Sequence, residues 1–327
     1  MSLHEVILTA EKALKIPFSY LLNSTKRIYF LYLASAVVLA YYSYIKNKTK
    51  SSFWSYLFPL KNWKSSSAYT DYGLLFFNAF VKVLLLAPYF VFGLYIAFYT
   101  KEYFLTQFGE THWEVSQFTV LLTYTFAMTL VNDFMSFLIH YIFHKVPFLW
   151  EFHKIHHSAT HLNPLTQYRL HPVELIINNI KSILIFGLIT GFFDYISFVK
   201  ISKLTFIGVN IFSFLFLFFG SNLRHSHIKI TYFNFLEYIF ISPFQHQIHH
   251  SNNQEHFDKN MGSKLALWDW LFGTLLRSEQ VGNISYGLGL GDDKNYNTFL
   301  KNLYKPFTNL FLKIKGLILR FCSSNKL

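Results

Sequence analysis

The chain has 327 residues, 52% hydrophobic and 20% aromatic, with only 14% charged against the roughly 25% of a soluble domain. Its net charge of +12 sits in basic residues beside apolar stretches (Lys46, Lys48, Lys50, Lys61, Lys64; then Lys301, Lys305, Lys313, Lys315, Arg320). That is the pattern of a lipid-facing protein and excludes a nucleic-acid partner, and the single cysteine, Cys322, excludes a disulfide framework and a thiolate metal site.

The first 25 residues hold Glu5, Glu11, Lys12 and Lys15 without a long apolar run, so no secretory signal is expected. A spanning helix needs about 20 largely apolar residues. Five stretches are candidates: 28–44, 74–98 (with Lys82 and Pro88 inside), 118–140, 175–199 (with Lys181 and Asp194 inside) and 204–220. The last two are joined by a few residues and are expected to form a tight hairpin. The histidines of 140–171 and those of 225–256 then emerge on one side. Loop 46–64 is rich in lysine and falls on that side; loop 100–115 (Lys101, Glu102, Glu110, Glu114) is acidic and falls on the other. The positive-inside rule makes the histidine side cytoplasmic and places the amino terminus outside. Residues 298–321 alternate apolar and basic and read as an interfacial helix.

No linker or repeat divides the chain. The expected fold is an all-α integral membrane protein with about four to five transmembrane helices and a cytoplasmic, histidine-rich helical cap holding a di-metal site. Its expected regions are 1–110 (two spans), 111–275 (catalytic) and 276–327 (tail).

Thirteen of the 15 histidines lie between His140 and His256. Three bursts have metal-ligand spacing: His140 and His144 form an HxxxH, His153, His156 and His157 an HxxHH, and His246, His249 and His250 a second HxxHH. Positions i, i+3 and i+4 share a helix face, so each burst aims two or three imidazoles at one place. These eight nitrogens are too many for one ion and suit two. Imidazole accepts Fe, Zn, Cu or Ni, so the ligands alone do not choose the metal.

Carboxylates near such a centre orient the rings and offset its charge. Asp133 lies two helical turns before His140 in an apolar span, where an acid is costly unless paired. It and Glu151 are the acids assigned to the catalytic centre; Glu174 and Asp258 are weaker candidates. His225 and His227 follow the fifth stretch and are further candidate ligands. His171 is as readily a structural hydrogen-bonder, His161 and His256 stay open, and His4 and His112 are set aside.

The motif order HxxxH, HxxHH, HxxHH between membrane spans resembles the fatty acid hydroxylase/sterol desaturase superfamily, its bacterial branch especially. Phe148–His157 with Arg169-Leu-His171-Pro-Val-Glu174 resembles that family's central block. Ser221–His227, Asp258-Lys-Asn260-Met-Gly262 and Trp268–Thr274 resemble its later blocks. The likeness covers 120–275. It implies a non-haem centre of two iron ions, with zinc a possible substitute. It also implies O2, two electrons, and hydroxylation or desaturation of a sterol, fatty acyl or sphingoid chain. No amino-terminal cytochrome b5 domain is present, so a separate donor (cytochrome b5-like protein, ferredoxin or flavoprotein reductase) is expected. The alternatives are a membrane zinc hydrolase, although no HExxH occurs, and a non-catalytic haem- or metal-binding membrane protein.

Overall fold

The computed structural model describes residues 3–111, 114–197, 201–206, 209–289 and 291–324. In order they form α1 (Leu3–Ser19), α2 (Phe30–Lys46), the short α3 (Phe53–Leu57) and α4 (Leu60–Trp63), α5 (Ser66–Val81), α6 (Phe92–Phe108), α7 (Gln117–Lys145), α8 (Pro147–His157) and α9 (Pro172–Ile196). There follow β1 (Thr205–Phe206), β2 (Val209–Asn210), α10 (Ile211–Phe218), α11 (Pro243–His249), α12 (Leu267–Leu271) and α13 (Phe299–Ser324).

Three helical segments are long and apolar enough to cross a membrane: Ser66–Phe108, α7 and α9. Their 43, 29 and 25 residues exceed the about 20 that a bilayer core of roughly 30 Å requires. Large apolar side chains stand exposed on all three, among them Leu94, Phe98, Phe118, Phe126, Leu184 and Leu188. The first segment begins eight residues before the expected 74–98 and is not uniform. A π-helical turn (Lys82–Leu86) and a 3-10 turn (Ala87–Val91) join α5 to α6. Pro88 explains the break: it has no N–H for Leu84 and its ring crowds that carbonyl, so the hydrogen-bond register shifts.

The expected span 204–220 is not a spanning helix. Thr205–Phe206 pairs antiparallel with Val209–Asn210, and only the eight residues of α10 follow. The side chain of Asn210 caps α10 by accepting from the amides of Phe212 and Ser213, and Gly220, at φ 93°, ends the segment. Threonines of α7 satisfy the irregular stretch: Thr125 accepts the Leu204 amide at 2.8 Å and Thr129 the Asn210 amide group at 2.9 Å. Non-helical backbone at membrane depth survives only with such internal partners.

α2, also expected to span, has 17 residues and packs along the segment that returns to the histidines. Ala36 and Ala40 touch Leu223, Ile228 and Ile230. Asn222 donates to the Arg27 carbonyl just before α2, and Ser43 near its end donates to the Lys229 carbonyl.

α9 packs on α6 through small residues. A Cβ on Gly191 would stand 2.3 Å from the Ala97 carbonyl oxygen, and one on Gly187 2.5 Å from the Ile96 side chain. Such stripes let helix backbones approach where lipid offers no hydrophobic drive. The stretch expected as an interfacial helix forms α13, tied to α8 by Asn309 and Lys313, which both donate to Glu151.

Candidate metal centre

Each histidine helix is started by its sequence. Pro147 and Pro243 occupy the first turns of α8 and α11, where a missing N–H costs nothing. Ser242 adds a capping box with Gln245. His153, His156 and His157 then share one buried face of α8, and His246, His249 and the cap residue His250 one face of α11. α7 brings His140 and His144 on its final turns.

Nine imidazoles converge in two groups. His140, His144, His153, His157 and His249 form one; His156, His225, His246 and His250 form the other. Within each group one nitrogen per residue lies within 4.8 Å of all the others. In the first group the Nε2 atoms of His140 stand 2.9 Å from His153 and 3.0 Å from His249. In the second, His225 stands 3.4 Å from His156 and 3.2 Å from His246. Two nitrogens at right angles on an ion roughly 2.1 Å away would be about 3.0 Å apart. The groups share a wall, with His157 and His250 stacked at 4.7 Å.

Outer partners set the tautomers of four rings in the five-histidine group. The Nδ1–H of His140 donates to the Met261 carbonyl (2.7 Å), of His249 to the Lys259 carbonyl (2.7 Å), of His144 to Asp258 (3.2 Å), and of His153 to Glu174 (3.1 Å). A donating Nδ1 leaves the Nε2 lone pair facing inward. His144 Nε2 is buried and has no hydrogen-bond partner, as an ion-facing atom would be. The four-histidine group differs: the Nδ1 atoms of His156, His246 and His250 are buried without partners.

Burial, then neighbouring imidazoles, hold His156, His157, His246 and His250 well below the ordinary histidine range. For His225, burial comes first and the charges of Arg27 and Arg224 next. Burial brings His249 down to about 3. Neutral imidazole is the form that ligates.

The loop Asp258–Gly262 supplies partners to three of these rings. Asp258 (φ 57°) and Asn260 (φ 53°) adopt the left-handed conformation, which Asp and Asn tolerate best after glycine. Asp269 pins the loop by accepting the amides of Met261 at 2.8 Å and Gly262 at 2.7 Å. A Cβ on Gly262 would lie 2.7 Å from that carboxylate.

All eight motif histidines and His225 are thus brought together. His227 is not: it donates to the Tyr56 carbonyl at 2.7 Å and pairs with Asn62. Asp133 touches no imidazole; it accepts the amides of Lys264 and Leu265 and the Trp268 indole N–H, bracing the chain just past the loop. Glu151 is turned away to Lys154, Lys313 and Asn309. The acids that meet the rings are Glu174 and Asp258. His171 caps α9 by accepting the Val173 amide, and His256 pairs with Ser251. His161 pairs with Thr160, His4 is exposed on α1, and His112 lies outside the described residues.

Sequence reasoning missed the latch beneath α8. Arg169, fully buried, bonds Asp71 at 3.1 Å and the Ile155 carbonyl at 3.0 Å. Its signal was an acid inside the apolar stretch that begins at Ser66. Arg224 was missed too.

Residues 125–274 match the fatty acid hydroxylase family. That segment, a little under half of the chain, carries the likeness to this family. Among curated relatives, alkylglycerol monooxygenase of Caenorhabditis elegans is 29% identical over 180 residues, 55% of this chain and 31% of that protein. The Homo sapiens alkylglycerol monooxygenase is 27% identical over 157 residues, 48% and 31% of the two chains. An ornithine lipid hydroxylase of Rhizobium tropici is 25% identical over 181 residues, 54% and 48% of the two chains. The matched part therefore spans between about a third and a half of these relatives' own lengths. No solved structure matches the chain.

Proposed function

We propose that the protein is a membrane-bound lipid hydroxylase or desaturase using a non-haem di-iron centre, O2 and two electrons from a separate donor. The carrying observation is the pair of imidazole groups, five and four residues, opening on one cavity at the ends of the long apolar helices. The donor set fits two ions: inward Nε2 atoms at ligand spacing, with the buried Nε2 of His144 left without a partner.

When bound, the iron ions would supply activation of O2 for attack on an unactivated C–H bond. In the hydroxylation a C–H bond becomes C–OH; the second oxygen atom leaves as water with two electrons and two protons from the donor and solvent. The residues do the rest. His140, His144, His153, His157 and His249 would hold one ion, and His156, His225, His246 and His250 the other. Glu174, Asp258 and the carbonyls of Lys259 and Met261 hold Nδ1 protons and fix ring planes. Ile139 and Phe143 line the cavity, giving a lipid chain an apolar wall and excluding water.

The zinc hydrolase reading lacks a base. Glu174 is the cavity's carboxylate and is bonded to His153, and Glu151 faces Lys154 and Lys313. Nine nitrogens also exceed the three of a catalytic zinc site. The lysine-rich flank of the site supports a cytoplasmic-facing centre.

Purified full chain supplied with iron should carry close to two ions per chain. With a reductant and membrane lipid it should consume O2 and yield a lipid gaining one oxygen or losing two hydrogens. A haem Soret band, or lipid cleavage without O2 uptake, would overturn the reading.

A further inference from the structure

The cavity reaching the imidazoles has a volume of about 360 Å³, and Lys26, Arg27, Lys82 and Arg224 stand in its wall. The carboxylate in that wall, Glu174, is already bonded to His153. Among the described residues, none of the four cations has a carboxylate within ion-pairing distance.

Arg224 is only 1% exposed. Its two terminal nitrogens donate to the carbonyls of Ser263 and Ile241, its plane stands 4.5 Å from the Phe216 ring, and its Nε–H is buried without an acceptor. Lys82 opens the π-helical turn caused by Pro88; such turns recur at functional sites because they re-aim a side chain. Arg27 ends the loop before α2, with its carbonyl fixed by Asn222.

Unpaired cations beside a membrane cavity are costly. Two divalent ions held by neutral imidazoles would add positive charge, of which Glu174, the wall's carboxylate, offsets only part. A ligand bringing negative oxygen atoms would relieve both.

Resting on the lipid-oxidising reading above, we propose that the lipid entering this cavity carries an acidic headgroup, a phosphate or carboxylate, gripped by Arg27 and Lys82 with the free Nε–H of Arg224 behind them. Arg27 suits this best, since its fork matches phosphate or carboxylate oxygens in pairs.

The test is equilibrium binding to the full-length, metal-loaded protein in phosphatidylcholine nanodiscs, without reductant. Three labelled amphiphiles share one oleoyl chain: lysophosphatidate, oleate and monooleoylglycerol; inorganic phosphate is a fourth, separate competitor. The acidic amphiphiles should bind on the order of tenfold tighter than monooleoylglycerol, or about 1.4 kcal/mol. Arg27→Ala and Lys82→Met should each erase most of that preference, with monooleoylglycerol affinity and metal content unchanged; Arg27→Lys should restore part of it. Equal binding of all three amphiphiles would overturn the proposal, as would variants that weaken all three alike. Competition by inorganic phosphate as strong as by lysophosphatidate would make this a free-anion site and equally overturn it. Because binding needs no turnover, failure here leaves the hydroxylase reading standing. Acid-selective binding without O2 uptake on any lipid would do the reverse.

Discussion

His144 donates its Nδ1–H to Asp258 at 3.2 Å, and Asp258 reaches it from a left-handed backbone at φ 57°. The same carboxylate accepts from Lys145. One loop residue thus ties the end of α7 to the chain beyond α11. Asp258→Ala should lower metal affinity by roughly 10- to 100-fold, the usual cost of removing a ring-orienting partner. Asp133→Asn, which loosens the neighbouring turn without touching an imidazole, should lower thermal stability more than metal affinity. Metal titration and thermal unfolding of both variants check this; equal metal affinity in Asp258→Ala and wild type would refute the role given to Asp258.

The two imidazole groups should not hold metal equally. Four rings of the five-histidine group have fixed outer partners, whereas three in the other have an unpartnered Nδ1. Chelation should therefore remove one ion well before the second. His246→Ala should leave about one ion per chain, while His227→Ala should leave two. Loss of both ions in a single step would contradict the asymmetry.

Close approach of α6 and α9 depends on Gly191. Gly191→Val would force its side chain into the Ala97 carbonyl. The expected cost is about 1–3 kcal/mol, as for other overpacked interiors, with a lower thermal midpoint in detergent. An unchanged midpoint would mean the helices are not held at this distance.

Acid should destabilise the metal-free protein. Burial holds His249 down to about 3 and His156, His157, His225, His246 and His250 well below the usual range. In the unfolded chain these rings take protons near about 6.5. Below that pH the unfolded state binds more protons, so stability is full above it and is lost as pH falls toward the folded values. Each ring contributes about 1.4 kcal/mol per pH unit below about 6.5. Unfolding midpoints at about pH 7.5 and 5.5 test the direction; a higher midpoint in acid would reverse it.

Topology is the fifth expectation. Both ends of α2 pack against the histidine-bearing segment, so reporters at the amino terminus and at Lys50 should lie on one side of the membrane, and a reporter at Gly109 on the other. Cytoplasmic-reporter activity at the first two positions and none at Gly109 is expected. Opposite sides for the amino terminus and Lys50 would restore α2 as a span and place the amino terminus outside.

The motif spacing by itself determined that the histidines of α8 and α11 point together, because period and ligand geometry are local properties of a helix. Hydropathy likewise located the three long helices. Hydropathy failed at 204–220, where Asn210 and the threonines of α7 favour a short ladder over a continuous helix. Spacing could not separate His225 from His227, two residues apart: which of them faces the rings depends on where Tyr56 and Asn62 lie after folding. Nor could it choose among the acids. Asp133 has the helical offset of a partner to His140, yet Glu174 and Asp258 meet the rings, because they come from a neighbouring helix and a left-handed loop whose positions only the packed structure decides.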